Sequence, residues 1–382
     1  MTRAGAGPPT HPPSLVAADW SASLERTLPL LPSSLRGREA RYGWRVLHPP
    51  GFELHPWAEL FTHPGTGAPI LGAAPCPHLS RTRSVADLVM VGRMTHQHLR
   101  YRAFYLRSPL PLSVAVHERP ARGNRTGLLA GAALQHLAHG RLPVAVPRVL
   151  STESTGLRPG RRWWGGGSAR SVQQVDVVVE EWLPGRPVMP HETTAVHDLL
   201  DAVHALWHVE PVTGVELPPP SLDRARRAFT ALAREREHLL WPPDVDRTRV
   251  HARVLALLDS NPRVTVGLSH GDPGLGNAVR TGRGGIALVD WEDAGRRPIS
   301  HDVFKVLASS TLSPQQWSDL HPELPRGRPD QASPAPEQLA LVILQFLQGW
   351  RHRTARAAHR RALPAHRRRM HRMVQALDVL LA

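Results

Sequence analysis

The sequence predicts an α+β chain of two lobes, a small one built on an antiparallel sheet and a larger, mainly helical one. Three observations carry this. Residues 88–183 read as short strands interrupted by one helix. Pro184-Gly185 marks a sharp break. Beyond it, apolar residues recur at helical spacing. A chain of 382 residues with 41% hydrophobic content is long and apolar enough for two lobes with a sizeable core.

Taken in order, residues 1–87 are rich in Pro, Gly, Ser and Trp, without repeat or sustained period, and are set apart as an N-terminal extension. Residues 88–91, 99–106 and 112–117 have strand composition, with a proline turn at 108–111. Residues 127–140 read as a helix ended by Gly140. Strands are expected at 144–152 and 176–183, separated by a long Gly-rich loop. These elements make 88–183 the small lobe, and 184–382 follows as the large one. Val196, Leu199, Leu200, Val203 and Leu206 form the apolar stripe of a helix over 195–207. Further helices are expected at 221–240 and 247–259. A strand–loop–strand segment then precedes a Pro-rich loop near 318–336 and two last helices at 337–354 and 364–381.

The single cysteine, Cys76, excludes an internal disulfide and makes a cytoplasmic location the default. No apolar run of membrane-spanning length occurs, so no membrane partner is expected. Formal net charge is +15, and Lys305 is the only lysine among the 47 lysine and arginine residues. The charge is densest at 351–353, 359–361 and 366–369. No nucleic-acid motif accompanies it, which favours a solvated, arginine-rich helix face over binding to nucleic acid.

The most informative segment is His270-Gly271-Asp272-Pro273-Gly274-Leu275-Gly276-Asn277, followed by a second aspartate at the end of an apolar run, Val289-Asp290-Trp291-Glu292. Phosphoryl transfer needs charge neutralisation and in-line positioning more than covalent help. Asp272 is suited to orient a hydroxyl and take its proton. Asn277 and Asp290 are hard oxygen ligands suited to Mg²⁺. The competing reading of each piece alone is a turn or cap aspartate. The spacing of the set favours the chemical one.

The chain resembles the aminoglycoside phosphotransferase and choline kinase-like family, a branch of the protein-kinase-like fold. The resemblance rests on His270-Gly271-Asp272 with Asn277, on Asp290-Trp291-Glu292, and on Ser300-His301-Asp302. It rests also on 179–187, similar to the family's hinge, and on Ala202-Val203-His204, similar to its first large-lobe helix. It implies a phosphotransferase that uses ATP or GTP and Mg²⁺ on a hydroxyl of a small molecule or of a peptide Ser or Thr. Asp272 and His270 would form the catalytic centre, His270 by supporting the loop. Gly92, Glu181, Trp182, Asn277 and Asp290 would contact the nucleotide, Asn277 and Asp290 through the metal. His204 reads as a packing histidine, Glu292 as a group next to the metal and Asp302 as a loop anchor.

The small lobe departs from the family pattern. The position implied for the phosphate-binding lysine is Ala115, the helix glutamate is absent from 131–134, and the phosphate-covering loop at 92–96 has one glycine. Three explanations stay open. Arg100, Arg102, His117 or Arg119 replaces the lysine, or the alignment is offset, or the chain is a catalytically impaired subunit that serves a partner biosynthetic enzyme. The basic terminal helices disfavour a polycationic acceptor and suit an anionic or neutral metabolite or an acidic peptide.

Overall fold

The computed structural model describes residues 53–55, 60–62, 68–69, 85–86, 88–91, 100–105, 112–120, 127–156, 172–183, 185–235, 240–282, 284–320, 332–359 and 363–382. The expected turn at 108–111 and the loop at Gly92 lie outside these residues.

The N-terminal part is an antiparallel sheet. Its strands are β1 (Glu53–His55), β2 (Leu60–Thr62), β5 (Leu88–Val91), β6 (Arg100–Tyr105), β7 (Leu112–Pro120), β8 (Val149–Gly156) and β9 (Val172–Glu181), in spatial order β1-β2-β5-β6-β7-β9-β8. A two-stranded ribbon pairs β3 (Ala68–Pro69) with β4 (Val85–Ala86). Two strands of the segment read as an extension thus pair on the sheet's edge, β2 against β5. Helix α1 (Gly127–Ala138) covers one sheet face, and Leu128 and Ala132 pack on Ala115 and Val178. Gly140 past its end has φ +72°, the left-handed conformation that ends helices. The strand expected at 144–152 starts instead at Val149. Pro147 has no N–H for a ladder, and Ala145 upstream bonds elsewhere, its N–H donating to the Ile286 carbonyl and its carbonyl accepting from Leu288 N.

The C-terminal part is mainly helical. β10 (Gly185–Pro187) leads to α2 (Thr193–Trp207), whose Val196, Leu199, Val203 and Leu206 are fully buried, as the stripe requires. His204 packs edge-on against Trp207 at 4.5 Å, and burial lowers its pKa. β11 (Thr213–Glu216) precedes α3 (Pro219–Ala233) and α4 (Arg247–Asp259). α3 is shorter than the expected 221–240 and starts earlier, because prolines are favoured in a first turn. α4 begins on Asp246, whose carboxylate accepts from Thr248 N and Arg249 N.

A second three-stranded sheet orders β11, β12 (Arg263–Ser269) and β15 (Gly295–Pro298), and a third orders β10, β13 (Ala278–Thr281) and β14 (Ile286–Leu288). Helices α5 (Ser300–Ser309) and α6 (Pro314–Asp319) follow, then α7 (Ala335–Leu347), α8 (Trp350–His359) and α9 (Leu363–Leu380). The single helix expected at 337–354 is two, α7 and α8, broken at Gln348-Gly349. Glycine has the highest entropic cost in a helix interior, which locates the break. One core runs from α2 through α4, α5 and α7 to α9, centred on Leu199, Phe229, Phe304, Ile343 and Met373. Among the described residues no helix is long and apolar enough to cross a membrane.

Candidate active site

β12 delivers the His270–Asn277 loop, and buried Asp302 near the start of α5 fixes it. Asp302 accepts from Ser269 Oγ (2.7 Å), His270 N (2.7 Å) and Gly271 N (3.1 Å). Burial alone would raise the Asp302 pKa. The His301 hydrogen bond and charge, with His270 and Ser269, outweigh it and hold the carboxylate low. Gly271 has φ +87°, and a Cβ there would collide with the Asp293 carbonyl. Only glycine lets the loop approach the 290–293 turn so closely.

His270 is buried, and both ring nitrogens meet backbone. Nδ1 accepts from Asp272 N (3.3 Å), which makes Nε2 the donor to the Val289 carbonyl (3.1 Å). Its ring packs edge-on against Trp291 at 4.5 Å. Desolvation lowers its pKa, so it is neutral at physiological pH. It supports the loop, which leaves Asp272 as the outward group.

Asp272 is 45% exposed, and Lys305 Nζ lies 3.0 Å from its Oδ1. Asp302 and Lys305 share one face of α5 at i, i+3, so a single helix grips the loop backbone and its outward carboxylate. Asn277 ends a 3₁₀ turn (Leu275–Asn277), and its Nδ2 donates to the Asp272 carbonyl at 2.8 Å. Val289 N donates to the Asn277 carbonyl (2.9 Å), which sets the second aspartate beside the first loop. Asp290 adopts the left-handed conformation, φ 68° and ψ 61°, rare for a residue with a Cβ and typical of functional turns. The Asn277 carboxamide oxygen and the Asp290 carboxylate are both hard oxygen donors. Among the described residues no group of three or more His, Cys, Asp or Glu could hold a metal by itself. That donor set fits Mg²⁺ shared with phosphate oxygens, which keeps few protein ligands.

On the sheet side of the site stands Ala115, the position for which the resemblance implies a lysine. Ala115 lies in the apolar cluster under α1. His117, two residues along β7 on the same face, is 4% exposed and places Nε2 3.0 Å from Glu292 Oε2. α1 presses on the 291–293 turn, since a Cβ at Gly127 or Gly131 would collide with the carbonyls of Glu292 and Trp291. Its buried polar residue, Gln135, donates to Glu180 Oε2 (2.7 Å) and to the Pro147 carbonyl (2.9 Å). Glu181 and Trp182 end β9. Glu181 is bonded to Arg148 through its backbone and its carboxylate (2.8 Å), and residues 145–148 join it to β14. Gly92 lies outside the described residues, as do the side chains of Arg100, Arg102 and Arg119.

Sequence reasoning gave Lys305 no role. Its uniqueness in an arginine-rich chain, three residues after Asp302, was the available signal. The contact of His117 with Glu292 had none, because it spans residues far apart in the chain.

Residues 114–342, more than half of the chain, match the phosphotransferase enzyme family. No curated protein matches the chain significantly. Among solved structures it is similar to a thermostable mutant of the aminoglycoside phosphotransferase APH(4)-Ia in its apo form, at 14% identity and a TM-score of 0.42, covering 75% of this chain and 94% of that one. It is similar to spectinomycin phosphotransferase APH(9)-Ia in complex with ADP and spectinomycin, at 9% identity and 0.45, covering 78% and 94%. It is also similar to choline kinase LicA from Streptococcus pneumoniae, at 17% identity and 0.40, covering 76% and 93%.

Proposed function

The chain belongs to the phosphotransferase enzyme family, with a protein-kinase-like fold, and from that premise we propose that it transfers the γ-phosphoryl group of ATP or GTP to an acceptor hydroxyl. The observation that carries the reading is the loop around Asp272. Its backbone is pinned by Asp302, its carbonyl is held by Asn277, and its carboxylate faces outward against Lys305. A loop fixed before substrate arrives is what a reaction governed by positioning requires. The acceptor oxygen bonds to the γ-phosphorus while the bond to the β–γ bridging oxygen breaks. The hydroxyl proton passes to Asp272, and the nucleoside diphosphate leaves. Mg²⁺, when held by Asn277 and Asp290, neutralises phosphate charge. Residues 88–183, with Glu181 and Trp182 at their end and Gly92 before β6, are the part proposed to receive the nucleotide. His117, bonded to Glu292, is the candidate for the cation missing at position 115.

A second reading is a catalytically impaired subunit that binds substrate or serves a partner enzyme. The apolar packing of Ala115 favours it. A thermal-shift titration of the full chain separates the two. For an enzyme, ATP or GTP with Mg²⁺ raises the melting temperature by mass action, and Asp272→Ala keeps that rise while lowering turnover roughly 10²–10⁴-fold. No rise with either nucleotide at millimolar concentration supports the subunit, and full turnover by the variant removes Asp272 from the chemistry.

A further inference from the structure

The helix side of the Asp272 loop holds a cluster of arginines. Two guanidinium groups lie over the ring of Phe346 on α7, Arg353 at 4.1 Å and Arg369 at 5.2 Å from its centre. Arg353 belongs to α8 and Arg369 to α9. The Nε and Nη2 atoms of Arg353 are shut off from water and have no hydrogen-bond partner among the described residues. Nε and Nη2 form the side-on fork with which arginine grips a carboxylate or a phosphate. Leaving that fork buried and unpaired is unfavourable, so it points to a missing acceptor.

Arg369 is in a different situation. Its side chain is exposed, yet protein atoms crowd round it enough to lower its pKa. The one carboxylate that opposes this shift is Asp272. Arg369 therefore stands within electrostatic reach of the loop, and that carboxylate is already paired with Lys305. Two more basic groups adjoin. Arg372 donates to the carbonyls of Ser310 (2.7 Å) and Leu312 (2.6 Å), which anchors α9 on the end of α5. His366 bonds Thr354 Oγ1 at 3.0 Å, and burial, followed by the charges of Arg353 and Arg369, lowers its pKa. Arg353 and Arg369 stay charged under all physiological conditions. The cluster of Arg353, Arg369 and Arg372 therefore carries a positive charge that the carboxylate of Asp272, already paired with Lys305, does not cancel.

We propose that Arg369 and Arg353, both against Phe346, are an oxyanion-binding subsite for the acceptor, which therefore carries a carboxylate or phosphate group besides its hydroxyl. The oxyanion binds Arg369 first and then supplies the acceptor that the Arg353 fork lacks. Phe346 holds the two planes in place and covers the apolar part of the ligand. A polycationic acceptor is repelled from the same place. The inference rests on the phosphotransfer reading above, and the experiment separates their failures.

The full chain, saturated with AMP-PNP and Mg²⁺, is titrated with inorganic phosphate, glycerate and glycerol and followed by thermal shift. AMP-PNP alone, with Mg²⁺, tests the phosphotransfer reading; the three probes test the subsite. Phosphate or glycerate raises the melting temperature and glycerol does not; which anion binds tighter identifies the phosphate or the carboxylate source. Arg369→Gln weakens anion binding by roughly tenfold or more, as loss of a charge-assisted pair does. It leaves the AMP-PNP shift unchanged, and Arg353→Gln does the same. Because Arg369 is exposed, its variant folds, so the outcome does not depend on the half-buried Arg353. The inference falls if anion binding survives Arg369→Gln, if glycerol binds as well as glycerate, or if phosphate displaces AMP-PNP and so belongs to the nucleotide site.

Discussion

The two flanks of the Asp272 loop are built on opposite chemistry. On the sheet flank, β7 and α1 close by apolar packing of Ala115, Leu128, Ala132 and Val178 and by glycine contacts on the 291–293 turn. At the 291–293 turn itself, His117 meets Glu292. On the helix flank, Lys305 of α5 pairs with Asp272, Arg353 of α8 and Arg369 of α9 meet at Phe346, and Arg372 ties α9 to the end of α5. The family resemblance implies a cation at position 115, where the chain has alanine, and the arginines named above lie on the flank where the acceptor is proposed to bind.

The largest expected effect is on the loop itself, which both flanks share. Asp302→Ala leaves Ser269 Oγ, His270 N and Gly271 N without their buried acceptor. Loss of about 3–5 kcal/mol is expected by denaturant unfolding, together with loss of turnover. A loss under about 1 kcal/mol means that the loop does not depend on α5.

Next comes the ion-pair network that joins β10, α2 and β13. The side-chain hydrogen bond from Arg186 is the largest cause that holds Glu192 at about 2, below the ordinary 4.5; bonds from Met189 N and Arg280 add to it. A depressed folded pKa stabilises above the unfolded value, and that contribution fades as pH falls from about 4.5 toward 2. Its upper bound is about 3 kcal/mol. Glu192→Gln therefore unfolds more easily than the wild-type chain at neutral pH, and the two converge near pH 2. A gap that stays constant with pH excludes the Glu192 charge as its cause.

The sheet flank gives a smaller and more local response. Gly131→Ala sets a Cβ against the Trp291 carbonyl, and about 1–3 kcal/mol of destabilisation is expected as α1 shifts. Because the turn carries Asp290, nucleotide-induced stabilisation falls more than acceptor binding does. An equal loss of both shows that the two flanks are not independent. The smallest stability effect belongs to Arg369→Gln, within about 0.5 kcal/mol in the absence of ligand, since the side chain is exposed.

The elements legible in the sequence are those whose signal is local. α2 appears where its apolar stripe sets it, and α4 spans the expected 247–259. β5, β6 and β7 match their short β-rich runs. α5, which carries both Asp302 and Lys305, was not anticipated, although its residues include buried Val303, Phe304, Val306 and Leu307. Its four apolar residues do not separate a short helix from a strand without the packing partners. β10, β11 and β15 were missed for a similar reason. Each is three or four residues long and is defined by its partner strand, as β15 is by β12. The break of the expected helix at Gln348-Gly349 was signalled only by one glycine, which helices tolerate when packing favours it.

Within the site, the sequence alone determined the loop. Asp272, Asn277 and Asp290 are close along the chain, and a turn enforced by Gly271 needs no distant partner to be read. The tertiary structure decided what surrounds it. Lys305 against Asp272, His117 against Glu292, and Arg353 and Arg369 around Phe346 join residues whose separation in sequence carries no period or spacing. Their proximity is set by how α1, α5, α8 and α9 pack, and packing responds to the shape and burial of the whole core rather than to any one stretch of residues.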